Sequence, residues 1–149
     1  MAGAAAAAGV DPKAEMIRLI ADIRAYGRQR NPDFVVIQQN GAALLDGHPE
    51  LLNAIDGIAQ EEVWYGGIAT DSWNEPRGYD AAVPADLTAE YVGWLEQYRA
   101  AGKVVFNCEY ALRHADAAYA MSYERGYVPY CTRRALSRLT TTPPPALAR

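Results

Sequence analysis

Ile55-Asp-Gly-Ile-Ala-Gln-Glu-Glu-Val-Trp-Tyr-Gly-Gly67 reads as an apolar strand that runs into two adjacent carboxylates, Glu61 and Glu62, then into two aromatic rings and a glycine pair. A buried parallel strand is a nearly continuous apolar run, because its two faces are both covered. Paired acids at its carboxyl end therefore need a reason: either both emerge into solvent as the strand finishes, or one is a catalytic carboxylate. Neighbouring strand residues point to opposite faces, so these two cannot flank one bond. A second acid has to come from another strand, and Glu109 is the local candidate.

Working outward from this strand, the chain alternates helix and strand. Asp11-Pro12 caps a helix whose apolar face is read as Met16, Ile20, Ile23 and Gly27, with Arg18, Arg24 and Arg28 opposite. Asn31-Pro32 ends it, and Phe34-Val-Val-Ile37 makes a short strand running into Gln38-Gln-Asn-Gly41. A short helix at Glu50 to Asn53 precedes the Ile55–Tyr65 strand, and a polar, aromatic loop follows from Gly66 to Ala85 with Trp73, Asn74, Glu75, Arg77 and Tyr79. So long a loop inside one domain favours an active-site role. Thr88 or Asp86 then caps a helix bearing Leu87, Tyr91, Trp94, Leu95 and Tyr98, and Gly102 stops it. Lys103-Val-Val-Phe-Asn-Cys-Glu-Tyr110, a helix from about Leu112 to Glu124, the strand Tyr127–Cys131 and a closing helix from Arg134 to Leu139 complete the reading. The fold expected is α/β, with parallel strands joined by right-handed crossovers. In that architecture the strand carboxyl ends share one functional rim, collecting Gln39, Asn40, Glu61, Glu62, Asn107, Glu109, Tyr130 and Thr132.

The totals narrow the chemistry. A length of 149 residues, half of them hydrophobic, gives one globular domain, residues 11–139, between an Ala-rich lead-in (1–10) and a Pro-rich tail (140–149), both expected to be disordered. A net charge of -4 without a basic stripe argues against nucleic acid, and no apolar run suits a membrane helix. The N-terminus lacks the basic start and apolar centre of a signal peptide. With two histidines and two unclustered cysteines, Cys108 and Cys131, neither a metal site nor a triad is expected; the thiols are read as free, with a disulfide between neighbouring strands as the alternative. No glycine-rich phosphate loop or nucleophile elbow occurs, so no cofactor is expected. Carboxylates, amides and aromatic rings remain, which suits an oligo- or polysaccharide: amides bind hydroxyls, rings stack on sugar C–H faces, and two carboxylates can cleave a glycosidic bond. On this reading one of Glu61 and Glu62 is the catalytic carboxylate, and Tyr65, Trp73, Asn107 and Tyr130 contact sugar.

Four segments, Asn31–Gly41, Ile58–Tyr65, Lys103–Tyr110 and Gly126–Tyr130, resemble the glycoside hydrolase family 114 TIM-barrel proteins, over roughly residues 10 to 139. The family's characterised activity is endo-α-1,4-polygalactosaminidase, and its members are often secreted. The resemblance implies that Glu61 matches a catalytic glutamate and that Gln39, Asn40, Glu109 and Tyr110 line the sugar site; Gln38 departs from a position where relatives more often carry proline. A (β/α)₈ barrel takes about 250 residues, so the chain reads as its C-terminal half, without the catalytic aspartate of the preceding strand. A half barrel exposes two edges and its inward apolar side chains, and is expected to be inactive alone and to associate with itself or with the other half. Two other outcomes are open: a non-catalytic carbohydrate-binding or pairing module, and a self-contained four-stranded α/β sandwich with both sheet faces covered.

Overall fold

In the computed structural model, which describes residues 9–140 and 143–144, Asp11 opens helix α1 (Pro12–Arg28) by accepting the N–H groups of Lys13 and Ala14. Then come β1 (Ile37–Gln39), a 3-10 turn (Ala42–Leu45), α2 (Leu51–Ala54), β2 (Gly57–Glu61), β3 (Tyr65–Gly66), a second 3-10 turn (Pro76–Gly78), β4 (Ala81–Ala82), α3 (Ala85–Ala100), β5 (Val104–Glu109), α4 (Ala115–Glu124) and β6 (Val128–Cys131). The expected α/β architecture is present: β1, β2, β5 and β6 form one parallel sheet in chain order, and β3 pairs antiparallel with β4.

Strand order that follows chain order sends every right-handed crossover over the same face. The burial pattern agrees. Ile58, Gln60, Val105, Asn107, Glu109 and Cys131 are buried, whereas Ile37, Val104, Phe106 and Val128 are 40%, 45%, 37% and 49% exposed. The register sets Ile37 beside Gly57, Gly57 beside Val104, Ala59 beside Phe106 and Phe106 beside Val128, so the exposed residues share one face. Ile17, Leu45, Leu51, Ile55, Leu95, Tyr98 and Tyr119 pack with Ile58 and Val105 to form the core under the other face. One covered face and one open face do not make a two-sided sandwich.

Several boundaries differ from the sequence reading, each for a tertiary reason. The first strand begins at Ile37 rather than Phe34, because the Asp56 carboxylate accepts the Val36 N–H at 2.8 Å and the ladder starts beyond it. The Ile55–Tyr65 strand is split at Glu62, whose φ of 56° leaves the extended region. On α1 the buried residue is Ile17, while Met16 and Ile23 are each 49% exposed: the helix is turned so that Arg24 and Arg28 reach Asp56. No side chain caps α3, since Thr88 Oγ1 donates instead to the Val63 carbonyl. The Gly66–Ala85 loop is ordered by backbone contact: a Cβ on Gly67 would lie 2.4 Å from the Gly78 carbonyl. The closing helix is absent; the Arg134 N–H goes to the Gly78 carbonyl, and Leu136 has a φ of 47°. The cysteines are free and face opposite sides of the sheet. The terminal stretches expected to be disordered fall largely outside the described residues. No helix among the described residues is long and apolar enough to cross a membrane.

Candidate active site

Glu61 ends β2 on the open face, opposite Cys108 of β5. Its two carboxylate oxygens are shared between side chains of the preceding strand and its loop: Gln39 Nε2 donates to Oε1 at 3.0 Å and Asn40 Nδ2 to Oε2 at 3.2 Å. The buried Tyr110 hydroxyl also hydrogen-bonds this carboxylate, and burial together with Glu61 raises the Tyr110 pKa. Asn40 holds the strand end as well as the acid. Its Oδ1 accepts the Glu61 N–H at 2.9 Å and Gln60 Nε2 at 3.2 Å. Its φ of 56° is a conformation that asparagine tolerates better than most residues. The adjacent Gln-Asn pair at 39 and 40 thus makes a two-armed amide clamp on one carboxylate.

Glu61 opens onto a cleft of about 400 Å³, walled by the Asn40–Ala43 turn, by Leu87, Tyr91 and Trp94 of α3, and by Glu62 and Arg134. Leu87, Tyr91 and Trp94 recur at one-turn spacing and so share a helix face. The sequence reading assigned all three to the core stripe, but only Leu95 and Tyr98 of that stripe are buried. Tyr91 and Trp94 are half-buried and meet edge to face at 6.1 Å. Glu62 is ion-paired with Arg134, whose guanidinium also lies 5.3 Å from the Tyr110 ring. Its position beside Glu61 in sequence therefore does not make it a second free acid.

Glu109 belongs to a different environment. It faces the covered side with Asn107 and is fully buried. Its carboxylate accepts the N–H groups of Val63 (2.9 Å), Trp64 (2.9 Å) and Tyr65 (2.6 Å) and the Asn107 amide (2.6 Å). Asn107 Oδ1 accepts from Ser122 Oγ, which in turn accepts from Trp64 Nε1. Burial pushes the Glu109 carboxyl up to about 7 against the pull of these donors. Asn107 and Glu109, expected on the sugar-lining rim, instead fasten the segment after β2 onto β5. Strand alternation makes this so: their side chains leave β5 on the face opposite Cys108.

The remaining expected residues are spread out. Tyr130 shares the row of Glu61 and Cys108 on the open face, and its hydroxyl accepts the Thr140 N–H. Tyr65 stacks on His114 at 5.1 Å. Trp73 lies between Arg133 and Arg138 in the ordered loop. Tyr65, Trp73 and Tyr130 do not line the Glu61 cleft, and Tyr110 lies behind it, in contact with the cleft residues Glu61 and Arg134. Burial pushes the Cys108 thiol up to about 12, with Glu61 and Glu109 adding to the shift, which removes it as a thiolate nucleophile at neutral pH. Among the described residues, no group of three or more His, Cys, Asp or Glu side chains is placed to hold a metal ion.

No protein-family model matches the chain. It is 33% identical over 134 residues to an uncharacterized protein of Deinococcus radiodurans, a match spanning 89% of this chain and 40% of that protein. It is 30% identical over 141 residues to an uncharacterized protein of Methanocaldococcus jannaschii, spanning 85% of this chain and 37% of that one. The chain thus covers well under half the length of these curated relatives.

Proposed function

We propose that this chain is one half of a glycoside hydrolase-like (β/α)₈ barrel in which Glu61 acts on a glycosidic bond of an amino-sugar polysaccharide, as acid/base or nucleophile. The observation that carries the reading is the setting of Glu61. It is the one charged side chain among the strand residues of the open face, is clamped by Gln39, Asn40 and Tyr110, and borders a cleft with an aromatic wall. In a barrel the open face would be the interior, and strand carboxyl ends carry the active site. Tyr91 and Trp94 offer rings for a sugar face, while the amides and Glu61 offer polar groups for hydroxyls. Relatives more than twice as long as the matched region leave room for a second half and its acid.

Glycosidic cleavage takes two carboxyl groups. With Glu109 buried and bound to three backbone amides, and Glu62 paired with Arg134, the strand ends among the described residues offer Glu61 alone, and the other carboxylate on the cleft wall is Glu90 of α3. That same fact favours a second reading, a non-catalytic carbohydrate-binding module. Glu61→Gln separates the two. On the first reading a barrel reconstituted with a complementary half cleaves galactosaminogalactan and the variant loses at least ~10²-fold in rate. Oligosaccharide binding without turnover in any assembly would leave only the second.

A further inference from the structure

Three carboxylates line the Glu61 cleft, those of Glu61, Glu62 and Glu90, against one cation, Arg134. Arg134 is committed to Glu62. Glu61 is held by Gln39, Asn40 and Tyr110, whose side chains are all neutral. Glu90 has no ion-pair partner among the described residues. Two negative charges of the cleft therefore lack a countercharge there.

A second and independent feature is an amide. Gln60 is only 4% exposed and lines the same cleft. Its Nε2 donates to Asn40 Oδ1 at 3.2 Å and to the Glu61 carbonyl at 3.0 Å. These two acceptors fix which way round the amide sits, since the reversed amide would set its oxygen against both. Oε1 is left buried with no donor among the described residues. Buried acceptors of folded proteins are nearly always paired, and leaving one bare is costly. A ligand N–H supplies what this one lacks.

Glu90 stands on the same face of α3 as Leu87, Tyr91 and Trp94, one turn from Leu87 and one turn from Trp94. A carboxylate set among aromatic rings suits an ammonium, because the acid pairs with its charge and a ring face attracts a cation. An acyl oxygen finds less. The amide and guanidinium donors of the wall, Asn40 Nδ2, Gln60 Nε2 and Arg134, are each turned onto an oxygen of the protein.

We infer that the cleft selects a primary ammonium group, with Glu90 supplying the countercharge and setting the specificity, and Gln60 Oε1 accepting a ligand N–H. The carrier of that group follows from the proposed function, on which this step rests: an amino sugar in its unacetylated form, seated against Tyr91 and Trp94. The site thereby distinguishes deacetylated from N-acetylated stretches of one polysaccharide, by charge and by the want of a donor for the acetyl oxygen.

Calorimetry of the whole chain at slightly acid pH tests this, with a galactosamine oligosaccharide, its N-acetylated counterpart and spermidine as titrants. The unacetylated sugar is expected to bind about tenfold tighter than the acetylated one, an advantage that shrinks as salt is raised. Glu90 is exposed on its helix, so Glu90→Gln keeps the fold. It removes most of the advantage and leaves the affinity for the acetylated sugar unchanged. The side-chain amide signal of Gln60 in nuclear magnetic resonance moves with the unacetylated sugar only. Equal affinity for the two sugars, or none for either, overturns the inference. So does an advantage that survives Glu90→Gln, or a Gln60 signal that ignores the amine. Spermidine bound as tightly as the amino sugar overturns the sugar as carrier. Turnover is measured separately: cleavage without the charge preference refutes this inference alone, and the preference without cleavage refutes the glycosidase reading alone.

Discussion

Glu61 and Glu109 end neighbouring parallel strands, yet their side chains leave the sheet on opposite faces. One borders a cleft under an amide clamp; the other is fully buried and holds three consecutive backbone N–H groups. Strand alternation thus separates two glutamates of similar position in the sequence pattern into one that lines a cleft and one buried in the structure.

Glu109 makes the first prediction, about pH. Its carboxyl is raised from 4.5 to about 7 by burial, so between those values the folded chain keeps a proton that the unfolded chain has released. Stability from this group is full below about 4.5 and is lost as pH rises through 7. Urea midpoints measured from pH 4.5 to 7.5 are expected to fall for the parent chain and to flatten for Glu109→Gln; a parent midpoint that rises across the window counts against the assignment.

Removing the carboxylate altogether is harsher. Glu109→Ala leaves the Val63, Trp64 and Tyr65 amides without their acceptor, at a cost of about 3 kcal/mol or more. Equilibrium denaturation should show this loss, and a change under 1 kcal/mol would mean that water replaces the carboxylate.

Asp56 behaves in the opposite sense. The Arg24 hydrogen bonds, then the Val36 amide and the charges of Arg24 and Arg28, hold its pKa down to about 2. Its contribution is present above about 3.8 and lost as pH falls toward 2. Asp56→Asn is expected to cost about 2 kcal/mol at pH 7 and almost nothing at pH 2, read from denaturation curves at the two values.

The aromatic wall of the cleft gives a binding prediction. Trp94 and Tyr91 are half-buried and also pack against the core, so Trp94→Ala is expected to lower the thermal midpoint while circular dichroism still shows a folded chain. Loss of one stacking ring weakens oligosaccharide binding about tenfold, measured by calorimetry. Equal affinity in the variant would remove α3 from the site.

Gly67 tests the order of the long loop. A Cβ there would meet the Gly78 backbone at 2.4 Å, and backbone cannot move aside as a side-chain tip can. Gly67→Ala is expected to cost about 2 kcal/mol and to speed proteolysis between residues 66 and 82; an unaltered digestion pattern would show that the loop does not depend on this contact.

The sequence alone determined the parallel α/β alternation, because apolar runs and helix caps are local patterns. It also put Gln39, Asn40 and the Glu61–Glu62 pair on one rim, because strand ends in such folds share one side. It could not separate Glu61 from Glu62 or place Glu109, since the face a side chain takes depends on register, and register is set between strands. Nor could it show that Tyr91 and Trp94 border a cleft as well as the core, because a helix stripe has the same spacing in either case. The closing helix failed for a related reason: the Arg134 N–H found the Gly78 carbonyl, a partner 56 residues earlier in the chain. Tertiary structure decided these points because each depends on contacts between residues far apart in sequence, which no local pattern encodes.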